Sequence, residues 1–204
     1  MITPSFGLTA TERVLPKLAL DFTTASLDPR VTFTRAGNTA TVINSSGYVV
    51  PINADLPRFD YNPTTLVCNG LLIEESRTNL MTYSSDFADV SWIPLRSSVT
   101  SNATTAPDNT LTADKLVEDT TAVNSHQLYK GPFSTIGTYT ITIFAKAGER
   151  STLQIQQDNG GNSRFLLTGN GTATALGANT VSITPFGNGW YRCTTTFTLS
   201  LIHI

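Results

Sequence analysis

The sequence predicts an all-β protein built from short antiparallel strands, on the basis of its composition, its turns and its alternation. Its 204 residues include 34 Thr, 17 Ser and 14 Asn, while charged residues make up only 14%. Thr is β-branched and favours strands, whereas Asn and Ser favour turns because their side chains bond nearby backbone groups. Short alternating segments recur between Gly- and Asn-containing turns, which is typical of an antiparallel β-sandwich or jelly roll.

The N-terminal part, residues 1–79, predicts a small β-rich segment. Residues 44–47 (NSSG) form a compact turn, so the segments on either side are expected to pair as a hairpin. The stretch 53–65 holds two prolines and is expected to be an ordered loop. The strands predicted in this part are 18–22, 31–35, 39–43, 48–52 and 71–75.

The composition changes near Asn79, which suggests a domain boundary between 1–79 and a sandwich at 80–198. Residues 80–94 break the alternation and carry Phe87 and Trp92 among small polar residues. We expect one helical turn or a loop with aromatic plugs at this place. Residues 97–110 are polar and are expected to form a loop.

The sandwich strands are clearest in the second half of the chain. In 138–146 (TYTITIFAK), Tyr139, Ile141, Ile143 and Ala145 share one face by period-two alternation. Gly and Asn residues at 158–162, 169–171 and 187–189 supply turns. The strands predicted here are 111–117, 138–146, 151–157, 163–168, 180–184 and 190–198.

The last six residues, 199–204 (LSLIHI), match the in-frame translation of CTG TCT CTT ATA CAC ATC. That DNA is the transposon mosaic end used as an adapter in shotgun libraries. We therefore hypothesise that these residues are sequencing read-through and that the natural chain continues past about Thr198. The alternative is a genuine last strand, since LSLI continues the alternation. A sandwich cut at this place would expose a strand edge.

Charge and hydropathy argue against several classes of partner. The net charge is −2, and the four lysines do not cluster, so nucleic acid is not an expected partner. No apolar stretch approaches the roughly 18 residues of a membrane span. The N-terminus lacks the basic start and apolar run of a secretory signal, so no such signal is expected. Cys68 and Cys193 are far apart and are expected to be free thiols, and no spacing suggests a metal or cofactor.

No catalytic constellation can be assembled, so the sequence predicts a protein that is not an enzyme. If the tail is read-through, His126 is the one native histidine, and its polar surroundings suggest a surface residue. Glu74 and Glu75 are adjacent on a predicted strand, so they point to opposite faces and cannot flank one glycosidic bond. One of them is expected to cap a turn or pair with Arg77. Glu118 and Asp119 follow a strand and are expected to be solvated.

Aromatic and arginine side chains are the remaining candidates for ligand binding. Sugar rings stack on exposed aromatic rings while a few polar groups bond the hydroxyls. Alternation in 190–198 places Tyr191, Cys193 and Phe197 on one face and Trp190 with Arg192 on the wetter one. The alternative is that Trp190 packs over a sheet edge or a neighbouring subunit. The residues predicted to contact a ligand are Trp190, Arg192, Trp92 and Tyr129.

Two groups of motifs occur in order along residues 20–198. The first is LDFTTASLDPRVTFTRAG at 20–37, PRFDY at 57–61 and GLLIEESRTNL at 70–80. The second is YSSDF at 83–87, APD at 106–108, TADKL at 112–116 and GNGWYR at 187–192. The first group resembles the opening of a domain common in structural proteins of tailed bacteriophages. The second is similar to carbohydrate-binding-like jelly rolls of phage tail and head-fibre proteins.

The resemblance implies a virion-surface component with a jelly roll of the galactose-binding or concanavalin-like kind. It further implies binding of a host-surface polysaccharide, contact with other virion proteins and a homo-oligomer, as in trimeric fibres. Such a protein assembles in the host cytoplasm and is extracellular in the mature virion. Two alternatives stay open: a purely structural spacer or trimerisation module, and a non-catalytic part of a polysaccharide depolymerase.

Overall fold

A computed structural model describes residues 20–37, 40–131, 135–157 and 161–199. Within these residues the chain forms strands and one short 3-10 turn, Phe22–Thr24, and no α-helix. All strand pairs are antiparallel, so the predicted all-β antiparallel class is confirmed. The strands are β1 Ala40–Ile43, β2 Val49–Ile52, β3 Phe59–Tyr61, β4 Cys68–Leu71, β5 Ile93–Leu95, β6 Ser97–Thr104, β7 Ala113–Glu118, β8 Gln127–Tyr129, β9 Gly137–Lys146, β10 Thr152–Gln156, β11 Asn162–Leu166, β12 Thr172–Leu176, β13 Thr180–Pro185 and β14 Trp190–Leu199.

The strands form small sheets, and none of these sheets closes on itself. Two have three strands, in the orders β10-β11-β12 and β13-β14-β9. The others are the pairs β1-β2, β3-β4, β5-β8 and β6-β7. No helix in these parts of the chain is long and apolar enough to cross a membrane.

The main core lies between the two three-stranded sheets. Phe165 and Leu167 from the first sheet pack with Tyr191 and Cys193 from the second. Burying such an apolar side chain contributes about 1.5–3 kcal/mol relative to leaving it exposed. The hydroxyls of Ser163 and Thr195, both fully buried, are 2.7 Å apart and share a hydrogen bond across this core, and Ser163 Oγ also accepts from the Asn179 amide.

Strand β14 forms the centre of its sheet and follows the predicted alternation. Tyr191, Cys193 and Phe197 are buried, as predicted for one face. The strand pairs with β9 along all ten residues and with β13 along six. The half-buried residues of β9 alternate as predicted for 138–146.

The opposite face of this sheet is a surface of hydroxyl side chains, here called the threonine face. Hydroxyl pairs join β9 to β14 at 3.1, 2.9 and 3.2 Å. Cross-strand pairs of this kind add modest stability. The threonines that make these bonds are Thr138 with Thr198, Thr140 with Thr196, and Thr142 with Thr194.

The N-terminal predictions are right for the hairpin and wrong for three strands. β1 and β2 pair around residues 44–47, where the Asn44 side chain accepts hydrogen bonds from two backbone N–H groups. Residues 20–22 are not a strand, because the Asp21 carboxylate accepts from the Thr23 N–H and starts the 3-10 turn. The segments 31–35 and 72–75 have no ladder partner in the described chain and are not strands.

Other differences concern short or polar segments. The predicted loop 97–110 contains β6, which pairs with β7, and the predicted loop 53–65 contains β3. Strands β5, β8 and β12, which are three to five residues long, were not predicted. The predicted positions 18–19, 39, 158–160 and 200–204 lie outside the described residues.

The two glutamates at 74 and 75 each have an arginine partner. Glu75 pairs with Arg77 at 2.5 Å, as predicted for one of them, and both side chains are exposed. Glu74 pairs at 2.7 Å with the buried Arg58, whose guanidinium also donates to the Thr41 carbonyl. Glu74 therefore holds the segment after β4 against the N-terminal hairpins.

We expect the buried thiol of Cys193 to be unreactive in the folded protein. Desolvation raises the pKa of Cys193 to about 12, so the nucleophilic thiolate is absent at neutral pH. A disulfide reagent should label the half-buried Cys68 in the folded protein, and both thiols after denaturation. Prompt labelling of both thiols in the folded protein would contradict the assignment of Cys193 to the core.

The same thiol should make stability depend on alkaline pH. In the unfolded chain the thiol ionises near pH 8.5, whereas in the folded chain it stays protonated to about pH 12. The unfolded state therefore loses its proton first, and the free energy of unfolding should fall as pH rises between these values. Denaturant titrations at several pH values give the free energy of unfolding of the natural chain and of Cys193→Ala. This free energy should fall less steeply with rising pH in the variant.

Candidate ligand-binding cleft

The structure places the indole of Trp190 inside the molecule, which corrects its predicted position on the wetter face. Trp190 is only 9% exposed. Its Nε1 donates to the Thr105 carbonyl at 3.0 Å, so the segment after β6 reaches this end of the sheet. Burial of Trp190 agrees with the alternative that it packs over the sheet.

Trp92 is likewise engaged within the chain. Its ring centroid lies 5.0 Å from that of Phe87, and its Nε1 donates to the Tyr83 carbonyl at 2.9 Å. The ammonium of Lys130 lies 5.0 Å from the Trp92 ring and 5.2 Å from the Tyr83 ring, in cation–π range. The segment 80–92 is thus a loop with aromatic plugs, as predicted, and Trp92 stabilises that loop.

The other two predicted contacts are exposed but lie in different places. Tyr129 is 44% exposed on β8, where it pairs with Ile93. Arg192 is exposed on β14, between Thr184 of β13 and Phe144 of β9. The structure therefore divides the four predicted residues into two pairs, Trp92 with Tyr129 beside the β5-β8 sheet and Trp190 with Arg192 on β14.

A cleft of about 870 Å³ lies elsewhere, beside the loop that follows β7. Its lining is mostly polar and combines two acids, two arginines, a histidine and several hydroxyl or amide groups. This volume falls within the range of small-ligand pockets, and the lining residues 118–124 are exposed, so the cleft is open to solvent. The lining residues are 118–124, His126, Arg150, Thr152 and Arg164.

Ion pairs hold β7 against the turn between β9 and β10. Arg150 makes a two-point pair with Glu118, with Nε–Oε1 2.9 Å and Nη2–Oε2 2.8 Å. Lys115 pairs with Glu149 at 2.7 Å. Two-point pairing fixes geometry more strictly than a single contact. The Arg150 hydrogen bond lowers the pKa of Glu118, so this carboxylate stays ionised at neutral pH.

Arg96 holds the far end of the loop 119–125, here called the cleft loop. Its Nε donates to the Ser125 carbonyl at 2.8 Å, and its Nη2 donates to the Ser125 hydroxyl at 3.0 Å. Its own carbonyl accepts from the Asp119 N–H at 3.1 Å. Arg96 lies between β5 and β6 at φ 52°, a left-handed conformation that few non-glycine residues adopt. One residue thus ties both ends of the loop 119–125 to the β5–β6 connection.

His126 and Asp119 form a second polar pair in the lining. His126 Nδ1 lies 2.7 Å from the Arg96 carbonyl and 3.4 Å from Asp119 Oδ1. A carbonyl only accepts, so Nδ1 carries the proton and Nε2 is the acceptor of the neutral ring. Hydrogen bonds from Thr121 lower the pKa of Asp119, which keeps it ionised.

The tip of the loop is strained and fully open to solvent. Val123 adopts φ 59°, which is a rare conformation for a β-branched residue, and its side chain is fully exposed. Such strain persists where the surroundings fix the backbone, and it concentrates at ligand sites. The bonds of Arg96 to Ser125 supply that constraint here.

A smaller hollow of about 290 Å³ among residues 20–29 offers less chemistry. Asp28 is taken by Arg30, whose hydrogen bonds lower its pKa to about 2. Asp21 already accepts from Thr23. The larger cleft is therefore the candidate site.

Comparisons with models of protein families, curated protein sequences and solved structures give no match. The cleft is therefore interpreted from its own residues.

The sequence did not indicate the cleft. Glu118 and Asp119 are exposed, as predicted, whereas the His126 side chain is mostly buried, and the fold brings all three to one lining with Arg150 and Arg164. The Asx turn at Asp119 has a local signal, because a Thr follows two residues later. The Glu118–Arg150 pair spans 32 positions and has none. Among the described residues, no group of three or more His, Cys, Asp or Glu is arranged to hold a metal ion.

We predict that Arg96→Lys loosens the cleft loop and leaves the core intact. Lysine cannot replace both guanidinium bonds to Ser125, so amide hydrogen exchange in 119–126 should be about tenfold faster, which corresponds to roughly 1.4 kcal/mol of local opening. The melting temperature should change little. Arg77→Lys, at an exposed pair outside the cleft, is the matched control. Equal exchange in the two variants would show that Arg96 does not fix the loop.

Proposed function

We propose that this protein is a surface component of a tailed-phage virion, in a tail or head fibre, and that it binds a host-cell glycan through the cleft. The module would be a jelly-roll β-sandwich centred on the two three-stranded sheets. The phage-like motifs and the all-β antiparallel architecture support this proposal. Other virion proteins would be its partners in the particle.

The single observation that carries glycan binding is the polar cleft. Its guanidinium, carboxylate, hydroxyl and amide groups are donors and acceptors for sugar hydroxyls. The Glu118–Arg150 pair and the Arg96 bonds hold much of this lining in place before a ligand arrives, which lowers the entropy cost of binding. Several copies in a fibre would convert a weak single site into strong attachment.

We propose binding without hydrolysis. A retaining or inverting glycosidase needs one carboxylic acid whose pKa is raised so that it can donate a proton. Hydrogen bonds instead lower the pKa of both cleft acids, Glu118 and Asp119. This pair therefore suits acceptance of hydroxyl hydrogen bonds rather than acid catalysis.

The proposal is tested with the full chain displayed in many copies on beads and a panel of immobilised bacterial surface polysaccharides. We expect retention on at least one polysaccharide. Asp119→Asn should lower the retained fraction about tenfold, since a hydrogen bond to a charged group contributes about 1.5–3 kcal/mol.

Asp108→Asn is a closely matched control for this variant. Asp108 and Asp119 each accept from the backbone N–H two residues later at 2.9 Å, but only Asp119 lines the cleft. The control should bind like the natural chain. No retention on any polysaccharide would refute glycan binding, and equal losses in the two variants would refute the cleft as its site.

The threonine face favours a second candidate function, a structural spacer or trimerisation module. Each hydroxyl pair shares a hydrogen bond, and the six threonines form an uncharged patch on β9 and β14. If subunits buried these threonines in an interface, the desolvation free energy would be small, because none of these side chains carries a charge.

A charge placed on this face would test the structural candidate. Thr140→Lys puts an ammonium at the centre of the threonine face, opposite Thr196. If copies associate through this face, light scattering should show a trimer for the natural chain and a monomer for the variant. Ser182→Lys, on the neighbouring strand β13, tests the breadth of the contact. A natural chain that is monomeric at high concentration would exclude this candidate.

A further inference from the structure

The balance of charge in the cleft bears on the class of glycan it accepts. Two carboxylates, Glu118 and Asp119, face two guanidiniums, Arg150 and Arg164, so the formal charges of the four sum to zero. Both acids are ionised at neutral pH, because hydrogen bonds lower the pKa of each. Arg150 is already matched by Glu118.

Arg164 is the cleft cation that has no carboxylate partner in the part of the chain the structure describes. It lies on β11, opposite Gln154 of β10 and Thr174 of β12, and its side chain is exposed. An acidic sugar could pair with Arg164 but would meet the ionised Asp119 carboxylate in the same cleft, which forms no ion pair with an arginine or lysine in the described residues. A neutral sugar meets no such repulsion and can use the guanidinium as a fork of donors.

The uncharged lining also fits a hydroxyl-rich ligand. Thr120, Thr121 and Thr152 carry hydroxyls, and Asn124 carries an amide that can donate and accept. The proton on His126 Nδ1 leaves Nε2 as an acceptor for a hydroxyl hydrogen. No Phe, Tyr or Trp ring is among the lining residues, so binding here depends on hydrogen bonds rather than on stacking of sugar rings on such rings.

We infer that the cleft binds a neutral glycan, a polymer of hexoses without carboxylate, sulfate or phosphate groups, and that Arg164 donates to its hydroxyls. This inference rests on the proposed glycan-binding function and names the ligand class of the same site. Each binding site would be weak, because ring stacking does not contribute. Binding would also vary little with salt, because no net charge is neutralised.

The test uses the full chain in many copies on beads, with dextran, a mannan and a galactan as neutral probes and polygalacturonate and alginate as acidic probes. We expect retention on at least one neutral probe and weaker retention on both acidic ones. Raising sodium chloride from about 50 mM to about 500 mM should change neutral binding by less than about twofold.

Arg164→Gln separates hydrogen bonding from charge pairing. Glutamine keeps an amide donor but loses the charge and the fork, so retention on the neutral probe should fall roughly five- to tenfold. Arg77→Gln, at an exposed arginine outside the cleft, is the control and should bind like the natural chain. Melting curves show whether both variants are folded.

The outcomes separate this inference from the function on which it rests. Stronger retention on an acidic probe, with a steep loss in salt, would overturn the neutral class and leave glycan binding intact. Equal retention of Arg164→Gln and Arg77→Gln would overturn the role of Arg164. No retention on any of the five probes would overturn the inference and count against the proposed function as well.

Discussion

The double pairing of strand β14 is the constraint on which the rest of the structure depends. This strand is hydrogen-bonded to β9 on one edge and to β13 on the other. Its inner side chains, including Tyr191 and Cys193, form the common core with the facing sheet. Because a shift of one residue would move every buried side chain to the outer face, the pairing fixes the register of the whole region.

The cleft receives its shape from this core through a series of contacts. The core fixes β9 and β10, so the turn between them is fixed, and Glu149 and Arg150 on that turn hold β7 by ion pairs. β7 leads into the cleft loop, whose far end Arg96 secures through Ser125. Exposed ion pairs contribute little stability individually. Their role here is to position the cleft, while the buried core supplies the stability.

Sequence reasoning succeeded where a residue's position depends on its neighbours along the strand. The alternation in 138–146 and 190–198 was enough to predict β9, β14 and the buried face. It failed at 31–35, which has a strand-like composition but no ladder partner in the described chain, and at Trp190, whose buried indole bonds the Thr105 carbonyl 85 positions away. The cleft depends on hydrogen-bonded pairs separated by about 30 residues, Arg96 with Ser125 and Glu118 with Arg150. The pattern of neighbouring residues in one sequence does not show which distant residues will pair.

Because both tryptophan side chains are engaged within the chain, the groups that bind a ligand are better sought among polar side chains. Each indole N–H donates to a backbone carbonyl, Trp92 to Tyr83 within the loop 80–92 and Trp190 to Thr105 after β6. Both indoles are therefore engaged within the chain, and neither lines the cleft. A glycan bound there would be held by hydrogen bonds that compete with water, and each of these contributes only about 0.5–1.5 kcal/mol net. Strong attachment would then require many copies, as in the fibre proposed above.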